Sequence, residues 1–375
     1  MADDFLLCPK WVLPVEPARA LEDHAIAVRS GAIEALLPAG AARERFPDLE
    51  RIELPEHAVI PGLVDAHACA EIAPASEEAA SRTCAEMLAG GITCFADTCL
   101  FPEAALAAAR ACGLRGAFGI LAADAASAYA SDFDDYLRKG LALRDRAREE
   151  PLVSFFLAPL DAQTLSETQR RRVAALGAEL DLPVHLRLKE PDRLEPLGLL
   201  DPRLAVVLAA QPGLRDIEAL ARHGCSLVLC PSSGIAHGPA PVAELLRAGV
   251  SLALGSATTP GRARLDLFQE MRLAAAGAGA AAAQAVLRAA TLGGARALGL
   301  EGAIGSIVPG KQADLAAVDL RTPWHAPAGE PVSWIAYAAG RENVSRVWVA
   351  GRPVFARGTG QNESFPLLAS RGGLS

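Results

Sequence analysis

Val59-Ile60-Pro61-Gly62-Leu63-Val64-Asp65-Ala66-His67 is a largely apolar run ending on polar side chains. Seven more β-type runs follow, at Ile92–Asp97, Gly113–Leu121, Val153–Leu160, Leu182–Leu188, Arg203–Ala209, Cys225–Pro231 and Ser251–Ser256. Amphipathic stretches such as Glu77–Leu88 and Ser166–Leu180 separate them. With the first run counted as His57–His67, eight βα units predict an α/β architecture, a (β/α)8 TIM barrel spanning 57–302. Short strands and turns flank it, among them Ala25–Arg29, Ala313–Val318 and Arg346–Ala350. Residues 1–56 and 303–375 are therefore expected to share one small β-sandwich built from both termini. Alanine-rich Ala274–Ala283 reads as helix.

The chain has 375 residues, more than a single core of roughly 250–300 accommodates, so two domains are in keeping with its length. Hydrophobic residues make up 51% and mean hydropathy is +0.23, which places it among globular proteins. A net charge of −8 without a basic stripe argues against nucleic acid. The first residues lack the basic and apolar regions of a secretory signal, and no charge-free run reaches the roughly 18 residues of a membrane span. A cytoplasmic protein with no membrane partner is expected. Eight cysteines form no C-x2-C pair, so reduced thiols are the default. No phosphate-binding Gly-rich loop and no G-x-S-x-G nucleophile elbow is present.

Four segments carry a resemblance: Val59–His67, Cys84–Leu88 through Phe101-Pro102-Glu103, Leu265–Arg272, and Gly305-Ser306-Ile307-Val308-Pro309-Gly310-Lys311-Gln312-Ala313-Asp314-Leu315. The chain resembles the amidohydrolase superfamily, and within it the cytosine/guanine and methylthioadenosine/S-adenosylhomocysteine deaminase and triazine hydrolase group. The likeness covers nearly the whole chain. It implies a divalent metal that lowers the pKa of a bound water, held by imidazoles and a carboxylate at the barrel mouth.

The residues depart from what the resemblance implies. A first-strand His-x-His is replaced by His67-Ala68-Cys69. After strand 4 a substrate-contacting His is replaced by Leu160. On strand 5 the pattern His-x-His-x-x-Glu becomes His185-Leu186-Arg187-Leu188-Lys189-Glu190, which puts Arg187 in the metal position. A guanidinium there opposes a divalent cation electrostatically. On strand 6 the ungapped match places Leu208 where a His is implied. On strand 8 the metal-binding Asp becomes Ala257, which can neither ligate nor accept a proton. The segment Glu71 to Ser76 is also too short for the lid that the resemblance implies.

The expectation is an amidohydrolase-fold protein related to amino-purine deaminases that is catalytically degenerate, a pseudoenzyme acting by binding or assembly. No cofactor is expected, and any metal ligands are vestigial: His67, Cys69 and His185. Glu190 is the candidate catalytic residue, and Arg187, His185 and His237 are the candidate ligand-binding residues. Arg187 either receives an anion, as a guanidinium fork does well, or fills the old cavity in an ion pair with Glu190. Partners in keeping with this reading are a small-molecule ligand and either a second copy in a homodimer or an active homologue. The alternative is a metal-dependent hydrolase acting on cyclic C–N bonds through a rearranged Zn2+ site of His67, Cys69 and His185.

Overall fold

The computed structural model describes residues 4–68, 77–188, 194–208, 211–234, 238, 240–257, 265–276, 278, 282–321 and 330–358. Strands Phe5–Val12 (β1), Leu21–Glu22 (β2), His24–Arg29 (β3), Ala32–Pro38 (β4) and Glu50–Pro61 (β5) open the chain. The barrel strands are Leu63–Asp65 (β6), Ile92–Asp97 (β7), Arg115–Ala122 (β8), Val153–Pro159 (β9), Val184–Leu188 (β10), Leu204–Leu208 (β11), Ser226–Leu229 (β12) and Ser251–Leu254 (β13). The chain returns to the first sheet through Leu315–Asp319 (β14), Val344–Val349 (β15) and Arg352–Ala356 (β16).

β6 to β13 lie side by side in chain order, and their paired neighbours run parallel. Side-chain alternation divides them as the fold requires. Leu186, Leu188, Leu204 and Val206 pack outward on the helices, whereas Ala205, Val207, Val228 and Ala253 meet inside. The ring closes at its mouth through backbone bonds: Ala66 N–H donates to Leu254 O at 2.9 Å and Ala257 N–H to His67 O at 2.8 Å. At the other end a helical turn fills the seam between β6 and β13. It is the π-helical Ala289–Gly293, continued by the helix Gly294–Ala297. A Cβ on Gly293 would lie 1.9 Å from Leu252 O, and one on Gly294 2.8 Å from Val64 O. Only glycine lets that helix backbone approach both strands so closely.

The second sheet joins both ends of the chain in the order β16-β15-β14-β5-β1-β3-β4, with β2 on β1. It encloses its own core, including Phe5, Leu7, Ile26, Val28, Val59, Leu315 and Trp348. This separate sheet, drawn from both ends of the chain, fits a small extra domain beside the barrel.

Two expectations need correction. The run His57–His67 is two strands, because residues up to Pro61 pair with β14 and only Leu63–Asp65 enters the barrel. Gly62 makes the crossing, where a Cβ would lie 2.1 Å from Thr93 Oγ1. Ala274–Ala283 is not one helix either. The helix Leu267–Ala275 ends at an extended Ala276, and another begins at Ala282. The sequence between them carries Gly277 and Gly279, each costing about 1 kcal/mol in a helix interior.

One buried ion pair fastens the two parts together. Arg115, at the start of β8, donates from Nε to Asp314 Oδ2 at 3.0 Å and from Nη2 to Asp314 Oδ1 at 3.1 Å. It also donates to Gln312 Oε1 at 2.5 Å and to Pro151 O at 3.2 Å. Asp314 Oδ1 accepts from Ala350 N–H at 2.8 Å, and Asp314 O from Gly62 N–H at 2.8 Å. Removing one partner strands a buried charge. We expect Arg115→Met to lower unfolding free energy by about 3–5 kcal/mol in denaturant titrations, and the Arg115→Met/Asp314→Leu double variant to recover much of that loss. Equal losses in both would contradict this account.

Candidate active site at the barrel mouth

The site is built at the C-terminal ends of β6, β7 and β10. Asp65 ends β6 fully buried and accepts three hydrogen bonds: from Ser256 N–H at 3.0 Å, Ser256 Oγ–H at 2.6 Å and His67 N–H at 3.2 Å. It thus ties the first strand to the last and fixes the backbone that presents His67. Burial raises the Asp65 pKa.

His67 and His185 stack with ring centroids 5.2 Å apart and planes 20° apart. Both are buried, and the Phe156 ring lies 5.2 Å from His185 on its other neighbour, β9. Among the described residues, His67 Nδ1 and both ring nitrogens of His185 have no hydrogen-bond partner. Burial drives His185 down to about 4. It also holds His67 well below its ordinary value, with the charges of His185 and Arg187 acting the same way. Both imidazoles are therefore neutral at pH 7, with lone pairs and N–H groups unspent.

Arg187 follows His185 by two residues on β10 and so shares its inward face, one step nearer the mouth. It is exposed, and its charge reaches His67. Ala257 stands beyond β13 at φ +36°, a conformation an alanine adopts at a cost of about 1–2 kcal/mol. Its N–H is held by His67 O, and its carbonyl accepts from Ser233 Oγ at 2.7 Å. Leu160 joins the inner apolar cluster, whereas Leu208 packs on the outer one and takes no part in the mouth. Cys69, Glu190 and His237 lie outside the described residues, as does the expected Arg187–Glu190 pair.

Three carboxylates were not singled out in the sequence as site residues. Besides Asp65 they are Asp97, whose Oδ2 is buried without a partner, and Glu270, whose Oε2 accepts from Ser232 N–H at 2.9 Å. Burial raises Asp97 to about 6 and Glu270 to about 7. All three sit in or beside stretches that the sequence reading had marked for other reasons, as strand ends or family-like segments.

The fit to a divalent ion is partial. His67 and His185 offer unpartnered ring nitrogens, as a metal requires, but Arg187 and Ala257 bring a cation and a methyl group to the same mouth. Among the described residues, no group of three or more His, Cys, Asp or Glu is placed to hold an ion. No described helix is long and apolar enough to cross a membrane.

The Amidohydrolase family profile matches residues 185–354. A 5-methylthioadenosine/S-adenosylhomocysteine deaminase of Teredinibacter turnerae is 32% identical over 403 aligned residues, covering 93% of this chain and 91% of that protein. The chain belongs to the amidohydrolase family. An adenosine deaminase from Xanthomonas campestris, solved with bound zinc, superposes on this chain with a TM-score of 0.87 and 37% identity, covering 94% and 92% of the two chains. An atrazine chlorohydrolase from Arthrobacter aurescens, at 22% identity and a TM-score of 0.79 over 94% and 97% of the chains, shares the fold. The alignment with the Teredinibacter relative spans 403 positions, more than the 375 residues of this chain, so it carries gaps on this chain's side. The lid expected to be missing falls on residues outside those described.

Glu270 gives a pH test. Its pKa is raised by folding, so between roughly pH 4.5 and 7 the folded state holds a proton that the unfolded state has released, and stability falls as pH rises through that window. The buried histidines act in the opposite direction below pH 6.5. The difference between the parent and Glu270→Gln isolates the carboxyl. We expect the variant, relative to the parent, to gain stability steadily from pH 4.5 to 7 in denaturant titrations. A constant difference would show that Glu270 titrates normally.

Proposed function

We propose that this chain uses its barrel mouth to bind a purine-type small molecule without hydrolysing it, acting in a homodimer or beside an active homologue. The observation that carries this reading is Arg187, a guanidinium on the inner face of β10 where the resemblance implies a metal-binding imidazole. Hydrolytic deamination needs a water of lowered pKa and a base to take its proton. At these positions the mouth offers a fixed positive charge and, at Ala257, a methyl group. The purine class is supported by the relatives, which are named for methylthioadenosine, S-adenosylhomocysteine and adenosine.

A second reading has its own support. The relatives are named as deaminases, one was solved with zinc, and three imidazole nitrogens at the mouth are buried without partners. On that reading the chain hydrolyses a cyclic C–N bond with zinc held by His67, His185 and Cys69, and Glu190 handles protons.

Metal content and ammonia release separate the two. On protein grown with zinc, manganese and iron, plasma mass spectrometry is expected to find metal far below one per chain, and adenosine, methylthioadenosine, S-adenosylhomocysteine and guanine are expected to release no ammonia. Near-stoichiometric zinc that disappears in His67→Ala, together with ammonia release, would overturn the binding reading in favour of the second.

A further inference from the structure

β10 presents His185 and Arg187 on one face, and His67, just beyond β6, stacks on His185. Arg187 is exposed on that face and, among the described residues, makes no hydrogen bond or ion pair. It differs in this from Arg115, bound by Asp314, and from Arg203, bound through Nε to Asp201 Oδ1 at 2.9 Å. Behind it His185 is 2% exposed and His67 3%, with three of their four ring nitrogens unpartnered. A neutral imidazole has one N–H to donate, and a guanidinium has five in a fixed fork. The Asp65 carboxylate beside them is already occupied by Ser256 and the His67 backbone. Donors thus outnumber free acceptors at this end of β10.

We propose that the mouth recognises a ligand bearing an oxyanion, a carboxylate or phosphate, with the Arg187 fork on two of its oxygens and the His67–His185 pair donating from behind. The inference rests on the binding reading above and names the chemical class of its ligand. A guanidinium pairs with such groups through two parallel N–H bonds, a geometry that lysine cannot reproduce. The fork stands exposed at the mouth, with the two buried rings behind it.

Calorimetric titration of the full chain with adenosine and with adenosine 5′-monophosphate tests it, alongside nitrogen-15 spectra of the imidazoles during addition of inorganic phosphate or acetate. The monophosphate is expected to bind at least about tenfold more tightly than the nucleoside, as one charge-assisted bond gives. Arg187→Met should erase that preference, and Arg187→Lys should restore only part of it. Phosphate should move the His67 and His185 signals in the parent but not in Arg187→Met, and the acetate arm shows whether a carboxylate serves equally. Equal binding of nucleoside and monophosphate would overturn the oxyanion inference and leave the purine reading standing. If neither purine compound binds while phosphate still moves the imidazole signals through Arg187, the oxyanion site stands and the purine reading falls. No response to any probe would overturn both.

Discussion

The buried pair Arg115–Asp314 is the contact on which the arrangement of the molecule depends. Asp314 belongs to the Lys311-Gln312-Ala313-Asp314-Leu315 stretch that leads into β14, and Arg115 opens a barrel strand. Their two-pronged contact therefore fixes where the returning chain meets the barrel. Such a pair adds little net stability compared with apolar side chains of the same size, but it tolerates few alternative positions, because any misplacement leaves a charge without water or partner. With that point fixed, Gly62 N–H reaches Asp314 O and β14 lies along β5 in a single register.

From there the mouth follows. β5 delivers the chain through Gly62 into β6, β6 ends on Asp65, and Asp65 holds both the backbone of His67 and the Ser256 corner. This support holds the backbone of the mouth, including Ala257 at φ +36°. The side chains it presents include His67, His185 and Arg187. Support and chemistry are separable because the first is made of backbone bonds and one buried carboxylate, whereas the second hangs on single side chains.

Much of the fold was legible because barrel strands are short, apolar and separated by amphipathic helices. β7 was placed to the residue, and the ends of β8 to β13 shift by only a few residues. The first strand misled because a continuous apolar run gives no sign that it changes sheets at Pro61-Gly62. Ala274–Ala283 misled because alanine content outweighed two glycines. The inward pairing of His185 with Arg187 followed from the two-residue period of a strand. That His67 stacks on His185 did not, since it depends on how far apart two strands sit around the ring. Asp65, Asp97 and Glu270 were invisible as titrating groups, because their raised pKa values come from burial by segments distant in sequence.

β5 serves two sheets: it pairs with β1 along one edge and β14 along the other, and then turns into the barrel wall. The small domain is consequently no detachable appendage. Cutting the chain near residue 56 would sever a strand in mid-ladder, exposing its hydrogen-bonding edge and the apolar side chains beneath it. An insertion or recombination that treats the two sheets as interchangeable modules would meet the same obstacle. Variation in this chain is better accommodated in the loops at the mouth, where changes alter what is bound without unpicking the strand that holds both halves.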